Sequence, residues 1–131
     1  MIDRRGQLLF IEDDESLRRI VTRHLRSHGY DLVEASSAEE AVERLERGLR
    51  PILLLLDLNL PGGTGWDVLR SPSLAAAGSP PVVITSATTV SPKRLAEFRV
   101  AGYLPKPFPL ETLVATIERT ITEEEPSPAH E

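Results

Sequence analysis

The chain has no cysteine, which excludes disulfides and any thiolate-held metal. Aromatic residues are scarce at 5%, with one tryptophan, two tyrosines and three phenylalanines, so the core has to be aliphatic. No apolar run approaches the length of a membrane span, and no signal-type segment follows Met1. Positive charge is in deficit: 15 Lys and Arg against 20 Asp and Glu give a formal net charge of −5. The basic residues are interspersed with acids, leaving no stripe set aside for a phosphate backbone or an anionic lipid surface. These absences predict a cytoplasmic protein with no nucleic-acid partner and no membrane partner. At 131 residues the chain has room for one core and not for two.

The stretch Pro51-Ile-Leu-Leu-Leu-Leu-Asp57-Leu-Asn-Leu-Pro-Gly-Gly-Thr-Gly65 organises what is present. Five consecutive large aliphatics, Ile52 to Leu56, read as a strand buried on both faces in the middle of a parallel sheet. Asp57 then emerges at the strand's carboxyl end, into a loop rich in Pro and Gly. In open α/β sheets that edge is where ligands bind. Asp57 is either a loop or helix cap or a reactive carboxylate, and the stretch alone leaves both open.

Before it, Gln7 to Ile11 reads as a short buried strand that ends in the acidic run Glu12-Asp13-Asp14-Glu15. Leu17, Ile20, Val21 and Leu25 fall near helical spacing, and Gly29 closes that helix. Tyr30 to Ala35 suits a second strand nearer an edge. Ser37 and Glu40 form a capping-box pair ahead of a helix that Gly48 stops. After the central strand a short helix is predicted from about Trp66 to Arg70, then a loose connection from Ser71 to Pro80 with room for a frayed helical turn. Pro81 to Thr85 is another strand. A helix from Ser91-Pro92 to about Val100 follows, then a final strand from Gly102 to Pro105. Leu110, Leu113, Val114, Ile117 and Ile121 stripe the last helix. Strands alternating with helices five times predict a doubly wound, five-stranded parallel α/β sheet with right-handed crossovers. Residues 1–122 form this domain, and 123–131 read as a disordered acidic tail or a truncated linker.

The chemically useful side chains all follow strands: Glu12 and Asp13 the first, Asp57 the third, Ser86 the fourth and Lys106 the fifth. In a parallel sheet these ends share one edge. Taken singly, each has a plainer reading as a cap, a turn hydroxyl or a solvated charge. Taken together they do not, because three converging acids repel one another without a cation. Mg²⁺ (or Mn²⁺), held by carboxylates and a ligand phosphate, would resolve that. Lys106 then offers a fixed positive charge, and Ser86 a hydroxyl donor, to a phosphoryl group carried by Asp57.

Four segments in order, Leu8-Leu-Phe-Ile-Glu-Asp-Asp14, Leu56-Asp-Leu-Asn-Leu-Pro-Gly62, Pro81-Val-Val-Ile-Thr-Ser-Ala87 and Tyr103-Leu-Pro-Lys-Pro-Phe108, resemble the receiver domain of two-component response regulators. The resemblance implies a flavodoxin-like (βα)5 fold with strand order 2-1-3-4-5. It makes Asp57 the phosphoacceptor, and Glu12 and Asp13 the metal-binding acid pair beside it. Asn59 then lends its backbone carbonyl to the metal, Ser86 and Lys106 read the phosphoryl group, and Tyr103 is the switch aromatic. It also implies a cis Lys106–Pro107 bond. Gly63-Thr64 replaces the bulkier residue and acid common at that point, which predicts a more mobile loop, and the join Val100-Ala-Gly-Tyr103 is shorter than usual.

The implied function is a signalling switch that takes a phosphoryl group from a sensor histidine kinase or a phosphotransfer protein and resets by slow hydrolysis. A downstream protein or a missing output domain would read it, and phosphorylation-dependent pairing of two copies is a further state the resemblance allows. Two other readings are a receiver that serves only as a docking module and a phosphatase with an Asp57 nucleophile. The second resembles haloacid dehalogenases, which carry an aspartate where this chain has Asn59.

Overall fold

The computed structural model describes residues 6–60 and 64–124. Five strands, β1 (Gly6–Ile11), β2 (Tyr30–Ala35), β3 (Leu53–Asp57), β4 (Val82–Ser86) and β5 (Gly102–Pro105), form one sheet in the order β2-β1-β3-β4-β5, with every pairing parallel. This is the predicted doubly wound α/β architecture. The helices are α1 (Glu15–Ser27), α2 (Ala38–Glu46), α3 (Gly65–Arg70), α4 (Pro72–Ala76), α5 (Pro92–Glu97) and α6 (Leu110–Glu124).

Every residue of β3 is buried, as the unbroken leucine run requires of a strand covered on both faces. One core cluster joins Leu8, Phe10, Leu53 and Leu55 to α1 and α6 through Val21, Leu25, Leu113 and Ile117. The other joins Leu9, Ile11, Leu54, Leu56 and Ile84 to α2 and α3 through Ala41, Leu45 and Val68. Alternation along each strand sends successive leucines to opposite layers, and the sheet is fixed between them.

Three expectations need correction. The connection after α3 contains a second helix, because Ser71 accepts the Ser73 N–H and Pro72 occupies its first turn, starting a helix where the sequence reading had Pro72 only ending one. The helix expected to reach Val100 stops at Glu97. Arg99 takes φ 53° after the Phe98 cap, and the Val100 and Arg99 amides return to the Leu95 and Ala96 carbonyls. That is a Schellman ending with arginine in the place usually held by glycine. At the other end of the chain α6 reaches Glu124, so the first two residues of the expected tail are helical. The remainder of that tail, and the Pro61–Gly63 part of the loop expected to be mobile, lie outside the described residues.

Candidate functional site

The site is built by strand ends. β1 ends at Ile11 and delivers Glu12, 1% exposed, while Asp13 stands in solvent. The chain turns there because Glu12 Oε2 accepts the Asp14 N–H (3.1 Å), and Asp14 Oδ1 in turn accepts the Leu17 N–H (3.1 Å) to cap α1. Arg18 ties the turn down, donating to the Glu12 carbonyl at 2.8 Å and pairing with Glu34 at 3.2 Å. β3 delivers Asp57, also 1% exposed, whose Oδ1 accepts the Asn59 N–H at 3.0 Å.

Gly65 holds this second turn from below. Its N–H donates to the Leu58 carbonyl at 3.1 Å. A β-carbon there would come within 2.8 Å of the Asp57 carbonyl oxygen and 3.0 Å of Leu58 Cα, both backbone atoms that cannot move aside. Only glycine lets α3 start this close to Asp57.

β5 delivers Lys106, which crosses the edge to both acids. Its Nζ is 2.7 Å from Glu12 Oε1 and 3.1 Å from Asp57 Oδ2. The Lys106–Pro107 bond is cis, as expected. Burial pulls the Lys106 ammonium down, but hydrogen bonds and charge from Glu12 and Asp57 outweigh it and hold the group above the ordinary lysine value. For Glu12 burial is the largest influence. It raises the carboxyl and, with the Asp57 charge, exceeds the lowering by Lys106 and the Asp14 amide, so Glu12 holds its proton more tightly than an ordinary glutamate.

Glu12, Asp13 and Asp57 each offer a carboxylate oxygen within 4.8 Å of the others. Hard oxygen donors with no His or Cys among them suit Mg²⁺ rather than Zn²⁺. Asp14 is not in the group. The residues fit a small divalent cation.

β4 delivers Ser86, which is buried. Its hydroxyl faces Asn59 and Thr88 instead of Asp57: Oγ donates to Asn59 Oδ1 at 3.1 Å, lies 3.0 Å from Thr88 Oγ1, and accepts the Thr88 N–H at 3.0 Å. Tyr103 Oη donates to the Thr88 carbonyl at 3.2 Å. Ser86, Thr88 and Tyr103 thus form one hydrogen-bonded chain from the site edge to β5. Asn59 enters through its amide N–H and its side-chain oxygen, whereas the sequence reading gave it only a backbone carbonyl. Thr88 and Arg18 were not singled out, and Gly65 was read only as part of the Pro- and Gly-rich loop. The one signal for Thr88 was a hydroxyl two residues after Ser86, the spacing of a local side-chain turn.

Among the described residues no helix is long and apolar enough to cross a membrane. Residues 8–118 match the response regulator receiver domain family. The chain is 37% identical over 126 residues to the DNA-binding response regulator MtrA of Mycolicibacterium smegmatis, covering 95% of this chain and 54% of that protein. It is 34% identical over 132 residues to the response regulator MprA of Mycobacterium leprae, covering 95% and 55%. Among solved structures, chemotaxis protein CheY4 of Vibrio cholerae superposes with TM-score 0.78 at 26% identity, covering 88% of this chain and 98% of that one. A receiver domain from Methanospirillum hungatei superposes at 0.80 with 19% identity over 89% and 94%, a likeness of fold alone. The chain spans about half the length of these curated relatives.

A relative named for binding DNA overturns the expectation that nucleic acid is no partner. That expectation rested on the net charge of a chain matching only about half of such a protein, and charge on one part does not speak for the rest. The family match over 8–118, the sheet order and the relatives agree that this chain belongs to the response regulator receiver domain family.

Proposed function

We propose that the chain is a phosphorylatable switch, with Asp57 the phosphoacceptor, Glu12 and Asp13 the metal-holding pair, Ser86 and Lys106 the readers of the phosphoryl group, and Tyr103 the responding aromatic. The single observation that carries this is the Lys106 ammonium bridging buried Glu12 and Asp57 at the carboxyl edge of the sheet. An unpartnered buried aspartate would be costly, and here it keeps a cation beside it and a third carboxylate, Asp13, within metal-sharing distance. A phosphoryl donor would be phosphohistidine of a sensor kinase or of a phosphotransfer protein.

In the transfer an Asp57 carboxylate oxygen attacks phosphorus. The bond from phosphorus to the donor nitrogen breaks, its electron pair stays on that imidazole nitrogen, and the product is an acyl phosphate. Mg²⁺ or Mn²⁺, when bound, neutralises charge between the acids and the incoming phosphoryl oxygens. Lys106 holds a proton-bearing cation at Asp57 Oδ2 and is kept charged by its two acids. Hydrolysis of the acyl phosphate resets the switch. Asn59 spends its side-chain oxygen on Ser86 and has no proton to give as an acid, which disfavours the phosphatase reading.

The state of Asp57 would be read in the cytoplasm by a further domain, by a downstream protein or by a second copy of the chain. Since relatives are named for DNA binding, control of DNA binding is the output we assign to the whole protein. Incubation with Mg²⁺ and a small acyl-phosphate donor, followed by intact mass, tests the proposal: one phosphate-sized addition supports it and an unchanged mass overturns it.

A further inference from the structure

α5 is a short helix with no fully buried residue. Six residues cannot hold a helix by propensity, so its position depends on side-chain contacts. Leu95 and Val100 are only partly buried against the sheet. The rest of its anchorage is a stack shared with α3. The Trp66 and Phe98 rings lie 4.9 Å apart at 31°, and the Arg94 guanidinium sits 4.6 Å from the Trp66 centroid and 5.5 Å from that of Phe98. Arg70 covers Phe98 at 5.3 Å. Such cation–aromatic contacts are individually modest and depend on close placement.

Two features connect this stack to Asp57. Trp66 follows Gly65, whose close approach to the Asp57 and Leu58 backbone leaves α3 no slack. A cavity of about 260 Å³, lined by Leu58, Asn59, Trp66, Thr88 and Arg94 among others, separates the loop after β3 from the start of α5. The first turn of α5 borders this space, and Arg94 and Trp66 belong both to its lining and to the stack.

We propose that Arg94 and Phe98, closed on Trp66, are a latch that holds α5 against α3, and that Trp66 carries changes at Asp57 to α5 along a route separate from Ser86. The second half rests on the phosphorylation reading; the first does not.

Amide exchange across residues 92–97 of the full chain tests the latch. Arg94→Gln and Phe98→Leu should raise exchange there by about two- to fivefold, with β1 and β3 unchanged and Arg94→Lys close to the parent. Unchanged α5 exchange in both variants overturns the latch, and so does a rise shared equally by β1 and β3. Trp66 is the only tryptophan, so its emission reports the coupling. In protein shown by mass to carry phosphate on Asp57, Trp66 emission should shift in the parent and in Ser86→Ala alike. No shift in that labelled protein overturns the coupling. Failure to label at all is instead a failure of the proposed function, and the exchange result on unmodified protein still decides the latch.

Discussion

Lys106 stands closer to Glu12 than to Asp57, at 2.7 Å against 3.1 Å, so the cation is shared between two buried acids that would otherwise face each other. Replacing it by Met keeps the side-chain volume and leaves both acids unpaired. Breaking a buried pair in this way costs about 3–5 kcal/mol. Lys106→Met should therefore lower metal-free stability in urea at neutral pH, with a smaller loss at acid pH, where the carboxyls take up protons. A variant as stable as the parent at neutral pH would show that the bridge contributes little.

With Glu12 as one of the proposed metal-holding acids, its carboxyl would set the pH dependence of metal binding. Its carboxyl is raised above its ordinary value of 4.5, chiefly by burial. A carboxyl raised on folding contributes stability below its unfolded value and loses it as pH rises through the folded one. A metal held by Glu12 would compete with that retained proton. The increase in Tm produced by Mg²⁺ should thus be full at neutral pH and fade as pH falls, beginning at pH values above 4.5. A Mg²⁺ increment constant down to pH 4.5 would remove Glu12 from the site.

Within the acidic run the structure separates neighbours. Asp13 shares the metal-sized cluster, whereas Asp14 spends Oδ1 on the Leu17 amide. Asp13→Ala should weaken Mg²⁺ binding strongly with little change in stability. Asp14→Ala should do the reverse, costing about 1 kcal/mol as a lost helix cap. Mg²⁺ titration and thermal melts of the two variants check this; equal losses of Mg²⁺ affinity would contradict it.

The parallel sheet and the strand-end placement of Glu12, Asp13, Asp57, Ser86 and Lys106 were legible because they follow from local signals, while the strand order came only from the resemblance to receiver domains. An apolar run makes a strand, and parallel strands put their carboxyl ends on one edge. What escaped was set by tertiary contact. Arg18 of α1 reaches Glu34 of β2, Arg94 finds Trp66 only once α3 and α5 are packed, and Asn59 meets Ser86 where the loop after β3 lies beside the end of β4. The early end of α5 was hidden because arginine, not glycine, adopts the left-handed position.

Ser86 is tied to Asn59 and Thr88, and Thr88 to Tyr103. A phosphoryl group on Asp57 would compete for the Ser86 hydroxyl and loosen that chain. A hydrogen bond to a charged group is worth roughly 1.5–3 kcal/mol, and moving an equilibrium from 1:99 to 99:1 needs about 5.5 kcal/mol. Ser86 and Lys106 together reach that scale; neither does alone. Ser86→Ala should still accept phosphate on Asp57 while the NMR shifts of Tyr103 no longer respond to beryllofluoride. A parent-like Tyr103 response in Ser86→Ala would rule this route out.

The most direct measurement locates the phosphate. After incubation with Mg²⁺ and an acyl-phosphate donor, peptide mass analysis should place a single phosphate on Asp57, with none when EDTA is present and none in Asp57→Asn. Undiminished labelling of Asp57→Asn, or label at another residue in the parent protein, would contradict the account.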